Sequence, residues 1–253
     1  QILKLRPLDP MGQDVDAGLR GSLIHAALHN WSAAIAHVPT SEHLHVLLLK
    51  GREAFAPYID IPEVQRFWWP RFERMATEFI EFDRVLRANL VGSHTEISGQ
   101  YDCSIGGVKH TITARADRID ILQNGELRII DYKSGSVPTP KQVKSGLAPQ
   151  LTLEGLIAKK GKFKDINSNE LNDVMFLTVG GNDQGVASVS LSKSGVILDE
   201  VSLAEQGLLR LLADFQDPSK FYMPRHNLQQ TNDVSDYDHL SRKLEWELEG
   251  VDE

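Results

Sequence analysis

The sequence predicts an α/β fold built on one full hydrophobic core, and three observations carry that reading. Apolar residues recur with helical spacing in five separate stretches, and strand-like stretches are interspersed among them. A chain of 253 residues is long enough to bury a complete core as a single domain with embellishments. Hydrophobic residues make up 41% and charged residues 25%, the balance of an ordinary globular protein.

The elements follow in order. Residues 1–18 read as an extended lead-in. A helix is expected over 19–37, with Leu23, Ala26, Ala27, Ala34 and Ile35 as its apolar stripe; His25 falls near its start and His29 one turn later. Helices over 41–56 and 62–86 follow. The second carries Trp68, Phe72, Met75 and Phe79 at helical spacing, a pattern that reads as core rather than as a base-stacking surface. Strands are expected over 91–103, 108–122 and 126–134, then a helix over 149–160 with Pro149 placed to start it. Strands over 173–179 and 186–191 are joined by the turn formers of residues 180–185. That loop lacks the GxxxxGK[ST] pattern, so no ATP site is expected in this chain. A helix over 195–215 leads to an irregular arm, 217–253, with a short helix at 236–248. The whole reads as one domain, 1–253, with residues 38–90 as an added helical layer.

Composition narrows the function. No run of 18 apolar residues and no basic-then-apolar leader is present, so neither a membrane span nor a signal peptide is expected. A lone cysteine, Cys103, permits no disulfide framework and suits a reducing cytoplasm. The first residue is Gln1, not Met, from which a piece of a longer protein is expected. The net charge of −8 argues against a free-standing tight DNA binder, because affinity for nucleic acid comes mainly from cationic contacts to phosphate. Lys133, Lys141 and Lys144 form a local basic cluster. So do Lys159, Lys160, Lys162 and Lys164, which equally complement a helix C-terminus.

The most informative stretch is TITARADRIDILQNGELRIIDYKSG, residues 111–135. Strict alternation over 108–122 puts Thr113, Arg115, Asp117, Ile119 and Ile121 on one face and Ile112, Ala114, Ala116, Arg118 and Asp120 on the other. On the next strand Asp131 and Lys133 share a face, roughly 7 Å apart. A two-residue turn on Asn124-Gly125 would send Asp117 and Asp131 to opposite faces. A three-residue loop, Gln123-Asn124-Gly125 with Gly125 left-handed, pairs Leu122 with Glu126 and sets Asp117 opposite Asp131. Two carboxylates beside an ammonium group are what metal-assisted phosphodiester cleavage requires, so that reading predicts the bulged turn. An Asp-X-Lys strand by itself is commonly a surface ion-pair ladder. Here Ile129-Ile130 run straight into Asp131, and a carboxylate ending an apolar strand is costly unless paired.

Four motifs stand in order: Gly21-x-x-x-His25, Ala116-Asp117-Arg118-Ile119-Asp120, Ile130-Asp131-Tyr132-Lys133-Ser134-Gly135 and Pro149-Gln150-Leu151. Together they resemble the RecB-type nucleases of the PD-(D/E)XK superfamily. The likeness is closest to the C-terminal nuclease domain of AddB-type double-strand-break repair proteins of the alphaproteobacterial kind. Phe67-Trp68-Trp69-Pro70-Arg71-Phe72 and Tyr237-Asp238-His239-Leu240-Ser241-Arg242 strengthen it, and it covers about residues 8–246.

The resemblance implies a restriction-endonuclease-like mixed sheet flanked by helices. It implies that His25, Asp117 and Asp131 converge to ligate Mg²⁺ or Mn²⁺, with the Tyr132 carbonyl completing the protein ligands. Lys133 would position the attacking water, Gln150 would orient the lysine or touch the DNA backbone, and Glu96 would be a further acid near the metal. The implied activity is a deoxyribonuclease, a single-strand exonuclease in an AddAB-type helicase–nuclease with an AddA-type partner subunit. A catalytically silent DNA-binding or scaffolding module is the alternative. Two departures stand out. Glu154 occupies the place where many relatives have tyrosine, and one cysteine cannot hold the iron–sulfur cluster of some AddB proteins.

Overall fold

A computed structural model describes residues 15–35, 38–181, 185–191 and 197–221. The chain divides into two compact units, 15–210 and a second made of 1–14 with 211–253. Of the second only 211–221 are described, so the lead-in before residue 15 and the expected helix at 236–248 lie outside the described residues.

The unit 15–210 is organised by a five-stranded sheet in chain order: β1 (Leu90–Ile105), β2 (Val108–Leu122), β3 (Leu127–Lys133), β4 (Leu171–Thr178) and β5 (Ala187–Ser190). All neighbours are antiparallel except β3 and β4. A parallel pair cannot be joined by a tight turn, and the crossover is made through α4 (Pro140–Lys144) and α5 (Gln150–Lys159). The sheet is therefore mixed, and the expected α/β class holds.

Each face of the sheet carries its own core. Helices α1 (Ala17–Ala34), α2 (Leu44–Phe55) and α3 (Trp69–Leu86) pack over Ile130, Tyr132, Met175 and Leu177. Helix α5, with Val201 from α6 (Ile197–Gln216), packs over Ile129, Val174 and Phe176 on the other side. Alternation along β3 thus sends Tyr132 to the helical layer, and Asp131 and Lys133 to the α5 side. The aromatic stripe of residues 62–86 is core, as expected: Trp68, Phe72, Met75 and Phe79 are all buried.

The helices depart from the sequence reading at three points. On α1 the buried residues are Leu23, Ile24, Ala27, Leu28 and Trp31, while Ala26 and Ala34 are exposed. The larger side chains define the stripe because they bury more apolar area. The single helix expected over 62–86 begins as a wide π-type turn, Val64–Trp68, before α3. Pro70 explains the break: it has no N–H for the carbonyl of Arg66, and its ring crowds that turn. Helix α4 was not foreseen, although Thr139, Pro140 and Gln142 form a capping box with proline at the first position.

The β2–β3 turn is the bulged one. The Leu122 N–H donates to the Glu126 carbonyl at 2.9 Å, the Gly125 N–H donates to the Leu122 carbonyl at 2.8 Å, and Gly125 has φ 83°. Arg118 therefore faces Ile130 and Ile119 faces Ile129. Continued one rung, this register sets Asp117 against Asp131. The ladder stops there because the Asp117 carboxylate itself accepts the Tyr132 N–H, at 2.8 Å.

Strict alternation along β2 does not hold. Ala114 and Ala116 pack on the α5 side together with Ile119 and Ile121, whereas Arg118 and Asp120 turn toward α3. β1 inverts in the same place, with Thr95 bonded to His29 of α1 and Ile97 in the α5 core. Between them Glu96 has φ 53°, a left-handed conformation rare for a residue with a Cβ. It sits between the Thr95–Arg118 and Ile97–Ala116 pairs, level with Asp117.

Beneath that rung lies a buried ionic network. Arg118 donates to Asp83 at 2.6 Å and to both oxygens of Asp120 at 2.7 and 3.0 Å. Asp83 also accepts from Arg87 at 2.7 Å and from the Trp31 indole at 3.2 Å, and Arg128 reaches Asp120 at 2.9 Å. Asp83, Arg118 and Asp120 are all fully buried. Because each charge is paired, the interior tolerates them, and α1, α3, β2 and β3 are tied together directly behind the Asp117 position.

Candidate active site

The hairpin end, the first turns of α1 and the start of α5 meet at one place. Asp117 arrives on β2, Asp131 and Lys133 on β3, His25 on α1, and Gln150 and Glu154 on α5. Gly21 permits the approach of α1, since a Cβ there would lie 2.8 Å from the Ser134 hydroxyl oxygen.

His25 Nδ1 stands 3.5 Å from Asp117 Oδ2, and its ring meets Tyr132 edge-on at 5.9 Å. Burial alone would lower the pKa of His25. The hydrogen-bonding Asp117 carboxylate, the charges of Asp117 and Asp131 and the Tyr132 backbone carbonyl outweigh it and raise the value. The Tyr132 main chain is therefore part of the site while its phenol is buried, 3.5 Å from Arg118.

Asp131 is 1% exposed. Its Oδ1 accepts from Gln150 Nε2 at 2.6 Å, and Lys133 Nζ stands 2.8 Å from its Oδ2. That second contact is an ion pair, and Oδ2 has no hydrogen-bond partner among the described residues. Burial raises the Asp131 pKa against the opposing effect of the adjacent Lys133 ammonium, and the Asp117 charge raises it further. Gln150 also touches Lys133, whose Nζ donates to its Oε1 at 3.2 Å.

His25, Asp117 and Asp131 thus feel one another's charge, yet among the described residues no three His, Cys, Asp or Glu side chains stand in coordination geometry. The expected three-ligand convergence is only pairwise, because Asp131 turns its oxygens to Gln150 and Lys133. The donors still fit a hard divalent cation: two carboxylates, an imidazole, a main-chain carbonyl, and a buried carboxylate oxygen with no hydrogen bond.

Glu96 lies further out, paired with Arg115 at 2.8 Å on the wall of a cleft of about 570 Å³. Gly21, Ser22, His25, His29 and Ser134 line the same cleft. Glu154, by contrast, is at the centre. It is 2% exposed, one oxygen accepts from Gln150 at 3.2 Å, and the other has no partner. Burial, then the charges of Asp131 and Asp117, push its pKa up to about 8 despite the Gln150 hydrogen bond. Its spacing of four from Gln150 was the available signal, since that spacing shares a helix face.

A family model for the PD-(D/E)XK nuclease superfamily matches residues 1–221. The chain belongs to that superfamily. Among curated relatives, a protein of Rickettsia bellii (strain RML369-C) is 27% identical over 225 residues, covering 84% of this chain and 27% of its own length. A protein of Rickettsia conorii (strain ATCC VR-613 / Malish 7) is 29% identical over 175 residues, covering 68% of this chain and 21% of its own. Both are described only as uncharacterized, and the chain spans about a quarter of their length. A solved structure titled "Crystal structure of SSO0001" aligns with a TM-score of 0.30 at 14% identity, covering 78% of this chain and 79% of that one, a likeness too slight to carry an argument. Among the described residues no helix is long and apolar enough to cross a membrane.

Proposed function

We propose that this PD-(D/E)XK domain hydrolyses DNA phosphodiesters with Mg²⁺ or Mn²⁺, acting on a single strand as an exonuclease. The observation that supports this most is the bulged turn, which sets Asp117 against Asp131 and leaves Lys133 at the rim, joined to both Asp131 and Gln150. His25, Asp117, Asp131 and the Tyr132 carbonyl would hold the cation, which when bound lowers the pKa of a water and offsets phosphate charge. Lys133, half-buried beside Asp131, orients an attacking water and adds a positive charge where the phosphorane oxygens develop. Gln150 holds that ammonium in place. The fully paired network behind Asp117 keeps β2 from shifting as charge changes in the cleft.

The domain's setting is read from charge and length. A net charge of −8 suits a domain to which DNA is delivered by an attached motor rather than captured from solution. That reading accords with an AddAB-type double-strand-break repair complex, with an AddA-type helicase–nuclease partner in the cytoplasm. End-labelled single-stranded DNA incubated with Mg²⁺ or Mn²⁺ tests the activity, beside Asp131→Ala and Lys133→Ala. Shortening by the parent and a loss of about a hundredfold or more in both variants is the expected result. Binding without cleavage by the parent would instead make the domain a scaffolding module.

A further inference from the structure

Gln150 has two amide hydrogens and one carbonyl oxygen, and all are engaged. The amide nitrogen donates to Asp131 Oδ1 at 2.6 Å and to Glu154 Oε1 at 3.2 Å, while the carbonyl accepts from Lys133 Nζ at 3.2 Å. The opposite orientation of the carboxamide would set its NH₂ against an ammonium and its carbonyl against the Asp131 carboxylate. Glu154 is therefore one of three groups that fix which way Gln150 faces.

Nothing in the packing calls for an acid at residue 154. It is 2% exposed on a helix whose neighbours Leu151, Leu156, Ile157 and Ala158 are all core, and its Oε2 has no partner. An apolar side chain of similar size would avoid the cost of burying that oxygen. A burial so unfavourable needs a compensating role, and among the described residues the hydrogen bond Glu154 makes is with Gln150.

We infer that Glu154 is a positioning residue, and that its function is to keep the Gln150 carbonyl turned to Lys133, so that the ammonium has a second partner besides Asp131. This rests on the metal-dependent nuclease reading above. Lys133 Nζ divides its contacts between Gln150 Oε1 and Asp131 Oδ2, at 3.2 and 2.8 Å. If Gln150 rotates, the ammonium loses its neutral partner and settles on the carboxylate alone. With no second partner to take it up, it competes for the oxygen that a cation requires and is no longer aimed at a water. Glu154 acts through Gln150 to prevent this, so its effect appears in cation affinity and turnover rather than in hold on the DNA.

Glu154→Leu and Glu154→Gln in the purified protein test the inference, because glutamine keeps a carbonyl for the Gln150 N–H and leucine does not. Glu154→Leu is expected to weaken Mn²⁺ binding by about tenfold in calorimetry and to lower kcat by about ten- to hundredfold with KM for single-stranded DNA unchanged. Its melting temperature should not fall. Glu154→Gln should stay close to the parent in both. Equal losses in the two variants, or none in Glu154→Leu, would overturn the inference. An independent readout needs neither metal nor turnover. The Gln150 side-chain amide, assigned by its disappearance in Gln150→Leu, should give two proton resonances shifted away from free-glutamine positions and slow to exchange with solvent in the parent, and a pair nearer free-glutamine positions and faster to exchange in Glu154→Leu. An unchanged pair sinks the positioning role even if the protein cleaves DNA. Shifted, faster-exchanging resonances with no cleavage by the parent support it while refuting the nuclease reading.

Discussion

Replacing Glu154 with glutamine should flatten the dependence of stability on pH. The carboxyl titrates near 4.5 when unfolded and at about 8 when folded, chiefly because it is buried and secondly because Asp131 is near. A raised folded pKa means the native state holds the proton more tightly. The associated stability is complete below about pH 4.5, erodes as pH rises toward about pH 8, and is gone above that. At about 1.4 kcal/mol per pH decade the ceiling is ~5 kcal/mol, of which about 4 kcal/mol falls between about pH 5 and about pH 9. Asp131 is raised by the same burial and by neighbouring charge, so the two carboxyls share the penalty; about 2–4 kcal/mol belongs to Glu154. Glutamine does not titrate, and its buried NH₂ group stands in for the unpartnered hydroxyl of the protonated acid. Urea unfolding of parent and variant at about pH 5, 7 and 9, with a chelator present, measures the difference. The variant should lose less stability across that range, by this amount. Parallel stability curves would refute the reasoning, because they would mean that Glu154 titrates as a solvated group.

Arg118→Met removes the central cation of the buried network, although Asp83 keeps Arg87 and Asp120 keeps Arg128. The expected cost, in urea unfolding, is about 3 kcal/mol, the low end for breaking a buried pair. Gly180→Ala would place a Cβ 2.3 Å from the Ser134 carbonyl oxygen, next to Lys133. It should destabilise by about 1–3 kcal/mol and slow cleavage in the DNA assay, because β3 must shift to make room. Glu96→Gly relieves a left-handed residue and loses a partly exposed pair with Arg115; a gain of about 1 kcal/mol in thermal unfolding is expected.

The hairpin was legible because two simple periods fix it. Side chains alternate, and a turn of known length sets the register, so the requirement that Asp117 meet Asp131 translated directly into a bulge at Gly125. The Gln150 helix was legible from Pro149, and the α3 stripe from helical spacing. The buried ionic network was not. Arg118 and Asp120 look in sequence like the solvated face of a strand, and their burial depends on Asp83 and Arg87, more than thirty residues earlier. The inversion at Glu96 was hidden for another reason: nothing about a glutamate announces a left-handed backbone. The importance of Glu154 was obscured because a polar residue one turn into a helix is ordinary until its surroundings are known.

The paired inversion on β1 and β2 has a consequence for assembly. These strands are long, Leu90–Ile105 and Val108–Leu122, and exposed over much of their outer half, where a ribbon has little to choose between registers two residues apart. Both change faces at the same rung, Glu96 level with Asp117. A slip by two would set each kink against a straight partner and drive Ile97 or Ile119 out of its core. The irregularity works as a detent, so that the ribbon clicks into the one alignment that also delivers Asp117 to the cleft.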